Sequence, residues 1–162
     1  LMLGRRIERL QKLCALLCNT LPLPHGHSQA ALDWLLDIAD SRITYRSRYL
    51  SSAQLIPVLD LLLLDPGNPH SVAFQLRQIV QLLSAVGSAE HRTMSQLETQ
   101  LLSLDLAVIE SDLASPQRLP HSLATLAKLL AALQQATWDL ADKISLQYFA
   151  HIERQSQSMV ST

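Results

Sequence analysis

Apolar residues at the start of the chain recur at Leu3, Ile7, Leu10, Cys14, Leu17 and Leu21. This is a 4-3-4-3-4 spacing, which an α-helix turns into one continuous face. The rhythm returns at Val72, Leu76, Ile79, Leu83 and Val86, and again at Met94, Leu97, Leu101, Leu104 and Val108. A strand would need alternation with a period of two, and no run of alternating β-branched residues occurs. The spacing therefore predicts an all-α fold without a β-sheet, an antiparallel bundle of about six helices. Apolar residues make up 48% of the chain and aromatics only 4%, so leucine packed on leucine must fill the interior. At 162 residues the chain is long enough for a single domain, residues 1–162, with a proper core.

Punctuation divides the chain into segments. The first helix is predicted from Met2 to Leu21, ended by Pro22 and Pro24. Ser28 caps a second that reaches Leu50. Leu32, Leu35, Leu36, Ala39 and Ile43 form one of its faces, and Trp34, Ile38, Tyr45 and Tyr49 a neighbouring stripe. The third, Ala53 to Leu64, is apolar nearly all round and is expected at the centre of the bundle, with Pro57 in its first turn. Asp65-Pro66-Gly67-Asn68 reads as a tight turn. Asn68 and Pro69 read as the N-cap and first residue of a fourth helix closed by Gly87. A fifth spans Ala89 to Ala114. Pro120 opens a last helix with Leu123, Leu126, Leu130, Leu133, Leu140, Ile144 and Tyr148 inward, and a polar tail expected to fray after Arg154. Short loops imply that consecutive helices are antiparallel neighbours.

The balance of charge excludes several functions. A formal net charge of −1 lacks the basic excess that a general nucleic-acid binder needs, and gives no attraction to an anionic membrane surface. The most apolar run, Leu61 to Leu64, is flanked by Asp60 and Asp65 and is far shorter than the roughly 20 residues of a membrane span. No secretory signal is visible. Cys14 and Cys18, four apart on a helix, read as small core residues in a reducing, cytoplasmic setting. His25, His27, His70, His91, His121 and His151 are scattered, no catalytic triad or glycine-rich phosphate loop is present, and no metal or cofactor is expected.

Three groups of residues could carry recognition. Arg5, Glu8 and Arg9 lie opposite the apolar face of the first helix, where Glu8 can pair with Lys12 or Arg5. They read as a solvated salt-bridged surface or as an arginine fork for a carboxylate or phosphate. Arg42, Tyr45, Arg46, Arg48 and Tyr49 crowd two helical turns, an unusual density in a chain so poor in aromatics. They read as a core edge with arginines reaching outward, or as an anion, peptide-carboxylate or partner site. Asp60 projects from an apolar helix and is expected to be buried and paired with an arginine that braces two helices. Asp65 and Asn68 read as turn and cap residues, with His70 and Ser71 beside them.

These segments, taken in order, resemble a known family. Leu3 to Arg9, Leu35 to Leu50, Ala53 to Asp65, Asn68 to Leu76 and Tyr148 to His151 together are similar to the bacterial alpha-E domain, named for its helical content and its Glu-Arg motif. The resemblance runs over essentially the whole chain and implies the C-terminal portion of that domain. Its upstream helices would precede Leu1, in keeping with a sequence that opens already in helical phase. His70 stands where the family usually has arginine, and Leu10 where a small residue is usual. The positions carried over are Arg5, Glu8, Arg9, Tyr45, Arg46, Arg48, Tyr49, Asp60, Asp65, Asn68, Pro69 and Ser71. The resemblance further implies company with circularly permuted ATP-grasp ligases, and so a part in making or trimming an amide linkage. The favoured expectation is a non-catalytic module that docks on an ATP-grasp ligase domain or holds its peptide substrate. Alternatives are a catalytic or small-anion site in which Arg5, Glu8, Arg46 and Asp60 meet, and a bundle whose seams form a homodimer.

Overall fold

The computed structural model describes residues 2–160. Its elements are α1 (Met2–Thr20), α2 (Gln29–Ile38), α3 (Arg42–Tyr49), α4 (Leu55–Leu59) running on into a π-helical turn (Asp60–Leu64), α5 (Val72–Ala85), α6 (His91–Leu102), α7 (Leu106–Asp112) and α8 (Arg118–Val160). No strand occurs among the described residues, as the leucine spacing requires. None of these helices is long and apolar enough to cross a membrane.

The seam of α1 buries Ile7, Leu10, Cys14, Leu17 and Leu21, with Leu3 packed at its margin. Its main partners are α8 and α5 rather than the next helix in the chain. The next helix, α2, expected as its antiparallel neighbour, does touch α1, but over a much smaller surface. The face of α8 from Leu119 to Leu140 is the longest apolar surface available, and it covers more of α1 than the three-turn α2 could. At the centre, Leu59, Leu61, Leu62 and Leu63 are fully buried. The widened π turn, closed by Asp65 N donating to Asp60 O at 3.0 Å, accompanies three consecutive leucines that all face protein.

Two predicted helices are broken. Asp40 adopts a positive φ of 50° between α2 and α3. There Asp40 N donates to Asp37 O at 3.0 Å and Ser41 N to Leu36 O at 2.8 Å, the double bond pattern that ends a helix. The break shifts the phase of all that follows, so Ile43, expected inward, is 85% exposed, while Tyr45 is buried. The fifth predicted helix divides at Ser103–Leu104, and Ile109 rather than Val108 enters the core. Val86, beyond the last turn of α5, is exposed, and Gly87 follows at a φ of 63°. Ser28 caps α2 as expected, accepting from Ala31 N at 3.3 Å.

The fourth helix begins later than the sequence suggests. Its cap is Ser71, whose Oγ accepts from Phe74 N at 3.0 Å, and not Asn68. Asn68 and Pro69 stay in the turn. The last helix starts earlier, at Arg118, and continues past Arg154 to Val160 with no glycine or proline after Pro120 to end it. Its 43 residues span about 65 Å, and the stretch after Ile144 stands clear of the bundle. Tyr148, expected inward, is exposed there, its ring edge-on to that of Phe149 at 6.1 Å.

Candidate functional site

The turn between the π segment and α5 is a knot of side-chain bonds. Asn68 is buried, and its Nδ2 donates to Leu61 O at 3.1 Å and to Ser41 Oγ at 3.3 Å. Its Oδ1 accepts from His70 N at 3.1 Å. Leu61 O is one of the carbonyls that a helix end leaves without an intrahelical partner, so Asn68 closes that end. Ser71 Oγ donates to Asp65 O at 2.5 Å, and Asp65 Oδ1 accepts from Gly67 N at 2.8 Å. The other Asp65 oxygen takes Arg48, whose guanidinium is 42% exposed against 11% for the carboxylate. The arginine that braces two helices thus pairs with Asp65.

Asp60 lies outside the core, correcting the expected buried Asp60–arginine pair. The π turn rotates its side chain outward, where it accepts from Tyr49 Oη at 2.9 Å. Burial pushes the Tyr49 phenol up to about 12, with the Asp60 hydrogen bond and negative charge adding to the shift. Tyr45 stacks at 4.9 Å on Tyr49 and is spent internally, donating to Ser52 O at 3.1 Å and accepting from Gln54 N at 3.1 Å. Arg42 lies 2.5 Å from Asp37 and ties α3 to α2. Tyr45, Arg48, Tyr49, Asp60, Asp65, Asn68 and Ser71 are therefore gathered into one region and bonded mostly to each other and to the backbone.

The remaining candidates lie apart from that knot. Glu8 pairs with Lys12 at 3.5 Å on the exposed face of α1. Arg5, Arg9 and Arg46 are exposed, and their side chains make no hydrogen bond or ion pair among the described residues. Among the described residues no bond joins any two of Arg5, Glu8, Arg46 and Asp60, and none of the four lines the groove between α1 and α2 or a smaller cavity beside Leu32 and Pro57. Cys14 and Cys18 are free thiols. Burial, and secondarily Cys18, pushes the Cys14 thiol up to about 12, which keeps it protonated and inert. No group of three or more His, Cys, Asp or Glu residues could hold a metal ion among the described residues.

A different constellation does converge. A groove of about 600 Å³ runs between α1, α2 and the Pro69–His70 turn. Arg9, Lys12, Leu13, Leu16 and Thr20 form its α1 wall, and Trp34 and Ile38 of α2 with Asp40 just beyond it form the opposite wall. Trp34 is 50% and Ile38 58% exposed, a pair of large apolar side chains left in water. His70 Nε2 stands 3.7 Å from Asp40 on the far lip. Gln75 forms the floor, fully buried, accepting from Arg6 at 3.4 Å and donating to Pro69 O. Arg6 in turn lies over the Phe74 ring at 5.6 Å. Of the residues singled out in sequence, the groove uses Arg9, Pro69 and His70. It adds Lys12, Trp34, Ile38, Asp40 and Gln75, none of which the sequence reading assigned to a site. The available signal was that Trp34 and Ile38 are four apart and off the Leu32, Leu35, Leu36, Ala39 face, so they cannot share its burial.

The Glu-Arg helix and the Asn-Pro-His-Ser turn, separate in sequence, therefore meet across this groove. Comparison with known proteins bears on both segments. Over 88% of its length the chain is 30% identical to uncharacterized proteins of Mycobacterium bovis and of two strains of Mycobacterium tuberculosis. It spans only 16% of the length of these relatives. No solved structure matches. Residues 1–149 match the model of a family described as a predicted alpha-helical domain with a conserved ER motif, and within that stretch Glu8-Arg9 is the single Glu-Arg pair. The chain belongs to the Alpha-E family.

Proposed function

We propose that this domain is a non-catalytic interaction module of an ATP-grasp-type amide or peptide ligase system, with the groove as its contact surface. The observation that carries the reading is the exposed Trp34–Ile38 pair facing the Glu-Arg helix. Tryptophan and arginine are the residues most often found as energetic anchors of interfaces. The ionisable residues of the knot are mostly bonded to each other or to the backbone, a pattern that suits bracing better than proton transfer. The relatives carry most of their length outside this domain, which suits a module working beside other parts of a larger assembly. The ligase itself is proposed from the family resemblance.

The test is a titration of the chain against the cognate ATP-grasp ligase, with ligase turnover measured with and without it. Saturable binding that weakens when Trp34 is replaced by serine supports the reading. No binding and unchanged turnover overturn it.

A second reading is favoured by α8. Beyond Ile144 its apolar side chains Leu146, Tyr148, Phe149 and Ile152 are exposed on a free helix, which suits pairing with a second copy. A mass that stays monomeric in light scattering at rising protein concentration removes it.

A further inference from the structure

This inference rests on the interaction-module reading and narrows it to one class of ligand. We infer that the groove takes an extended peptide segment in which large apolar side chains alternate with carboxylate side chains. The apolar groups would lodge between Leu13 and Leu16 of α1 and Trp34 and Ile38 of α2, and the carboxylates would meet Arg9 and Lys12.

Charge complementarity selects the carboxylates. Arg9 has no acidic partner among the described residues. Lys12 has only Glu8 at 3.5 Å, in a pair whose side chains are 76% and 66% exposed. Both cations line the groove on the α1 side, while Asp40 and His70 stand together on the other. A carboxylate is attracted to the first lip and repelled by Asp40 at the second, so the groove has a polarity that an uncharged ligand would not read. Asp40 remains able to accept a backbone N–H of the same segment.

The floor explains why the middle of the ligand must be apolar. Gln75 and Thr20 are buried polar residues there, and the Gln75 amide already bonds Arg6 and Pro69 O. With no exposed surface Gln75 offers little to a polar side chain, which would lose its water with little compensation. Length supports an extended segment. From Arg9 to Thr20 the α1 wall runs about 16 Å, room for roughly five residues of extended chain. The walls are open to water at Trp34 and Lys12, so an internal stretch of peptide can lie along the trough without threading a closed end.

The probe is a capped hexapeptide alternating leucine and glutamate, titrated into the 162-residue chain carrying Trp138→Phe, so that Trp34 alone reports. The expected result is a saturable blue shift of Trp34 emission. Arg9→Gln should weaken binding about fivefold, the loss of one solvent-exposed ion pair. Ile38→Ser should weaken it more, with helicity unchanged by circular dichroism. A peptide with lysine for glutamate, or with serine for leucine, should give no saturable shift. The inference is overturned by no shift with the leucine–glutamate peptide at millimolar concentration, or by equal binding of the lysine peptide. A shift that follows protein concentration alone, which marks self-association, also overturns it. If the cognate ligase binds, and binds less well to Trp34→Ser, while the leucine–glutamate peptide gives no saturable shift, this inference falls alone. If the peptide binds and the ligase does not, the ligase reading falls and this one stands.

Discussion

Replacing Asn68 should cost more than any other polar substitution in the 65–71 turn. Its amide is 2% exposed and makes three bonds, to Leu61 O, Ser41 Oγ and from His70 N. Asn68→Ala removes all three. Leu61 O is then a buried carbonyl at a helix end with no donor, and such a group costs about 1–3 kcal/mol. Losing the bond to Ser41 adds about 1 kcal/mol, whereas His70 N lies near the surface and can turn to water. The sum is about 3 kcal/mol, or a fall in melting temperature of about 6–12 °C for a domain of this size. Asn68→Asp keeps the shape but turns the donor into an acceptor facing Leu61 O, so it should be at least as damaging. Thermal and urea melts followed by far-ultraviolet circular dichroism measure both variants. An Asn68→Ala protein that melts within about 2 °C of the parent, less than 1 kcal/mol, would refute the role given to this side chain.

Leu50 is 88% exposed and sits at a φ of 50°, so Leu50→Gly should raise stability by about 1 kcal/mol, read as a higher urea midpoint. At Gly26 an added Cβ would lie 2.0 Å from Thr20 O, a backbone atom that cannot swing aside, so Gly26→Ala should destabilise by about 1–3 kcal/mol in the same melts. The Tyr49 phenol is raised from 10.0 to about 12, so its neutral form is favoured by folding. That contribution is complete below pH 10 and disappears as the pH rises through 12. Stability measured across this window should therefore fall less steeply in Tyr49→Phe than in the parent.

The helices of this chain are largely legible in its sequence because leucine spacing and the period of the helix are the same information. Ile7, Leu10, Cys14 and Leu17 fall on a face that only burial explains, and they are buried. The breaks are less legible. Asp40 ends α2 in a left-handed conformation that glycine usually supplies, and nothing in Ala39-Asp40-Ser41 announces it. Once the helix breaks there, every later position changes face, which is why Ile43 was placed inward. Asn68 before Pro69 looks like a helix start, but Ser71, three residues on, makes the cap because Asn68 is already engaged by Leu61 and Ser41. Asp60 and Asp65 exchange roles for a similar reason. The π turn changes the angular step between residues, and a pattern read at 3.6 residues per turn cannot register it. The groove was hidden because it joins α1, α2 and a distant turn, and long-range packing of that kind leaves no local trace.

On the proposed function, a partner covers the exposed Trp34–Ile38 pair. Isothermal titration of the cognate ATP-grasp ligase into the parent chain and into Trp34→Ser tests this most directly. Saturable binding by the parent and at least tenfold weaker binding by the variant are expected, a loss of about 1.4 kcal/mol or more at an aromatic anchor. Equal affinity in the two proteins, with both folded, would contradict it.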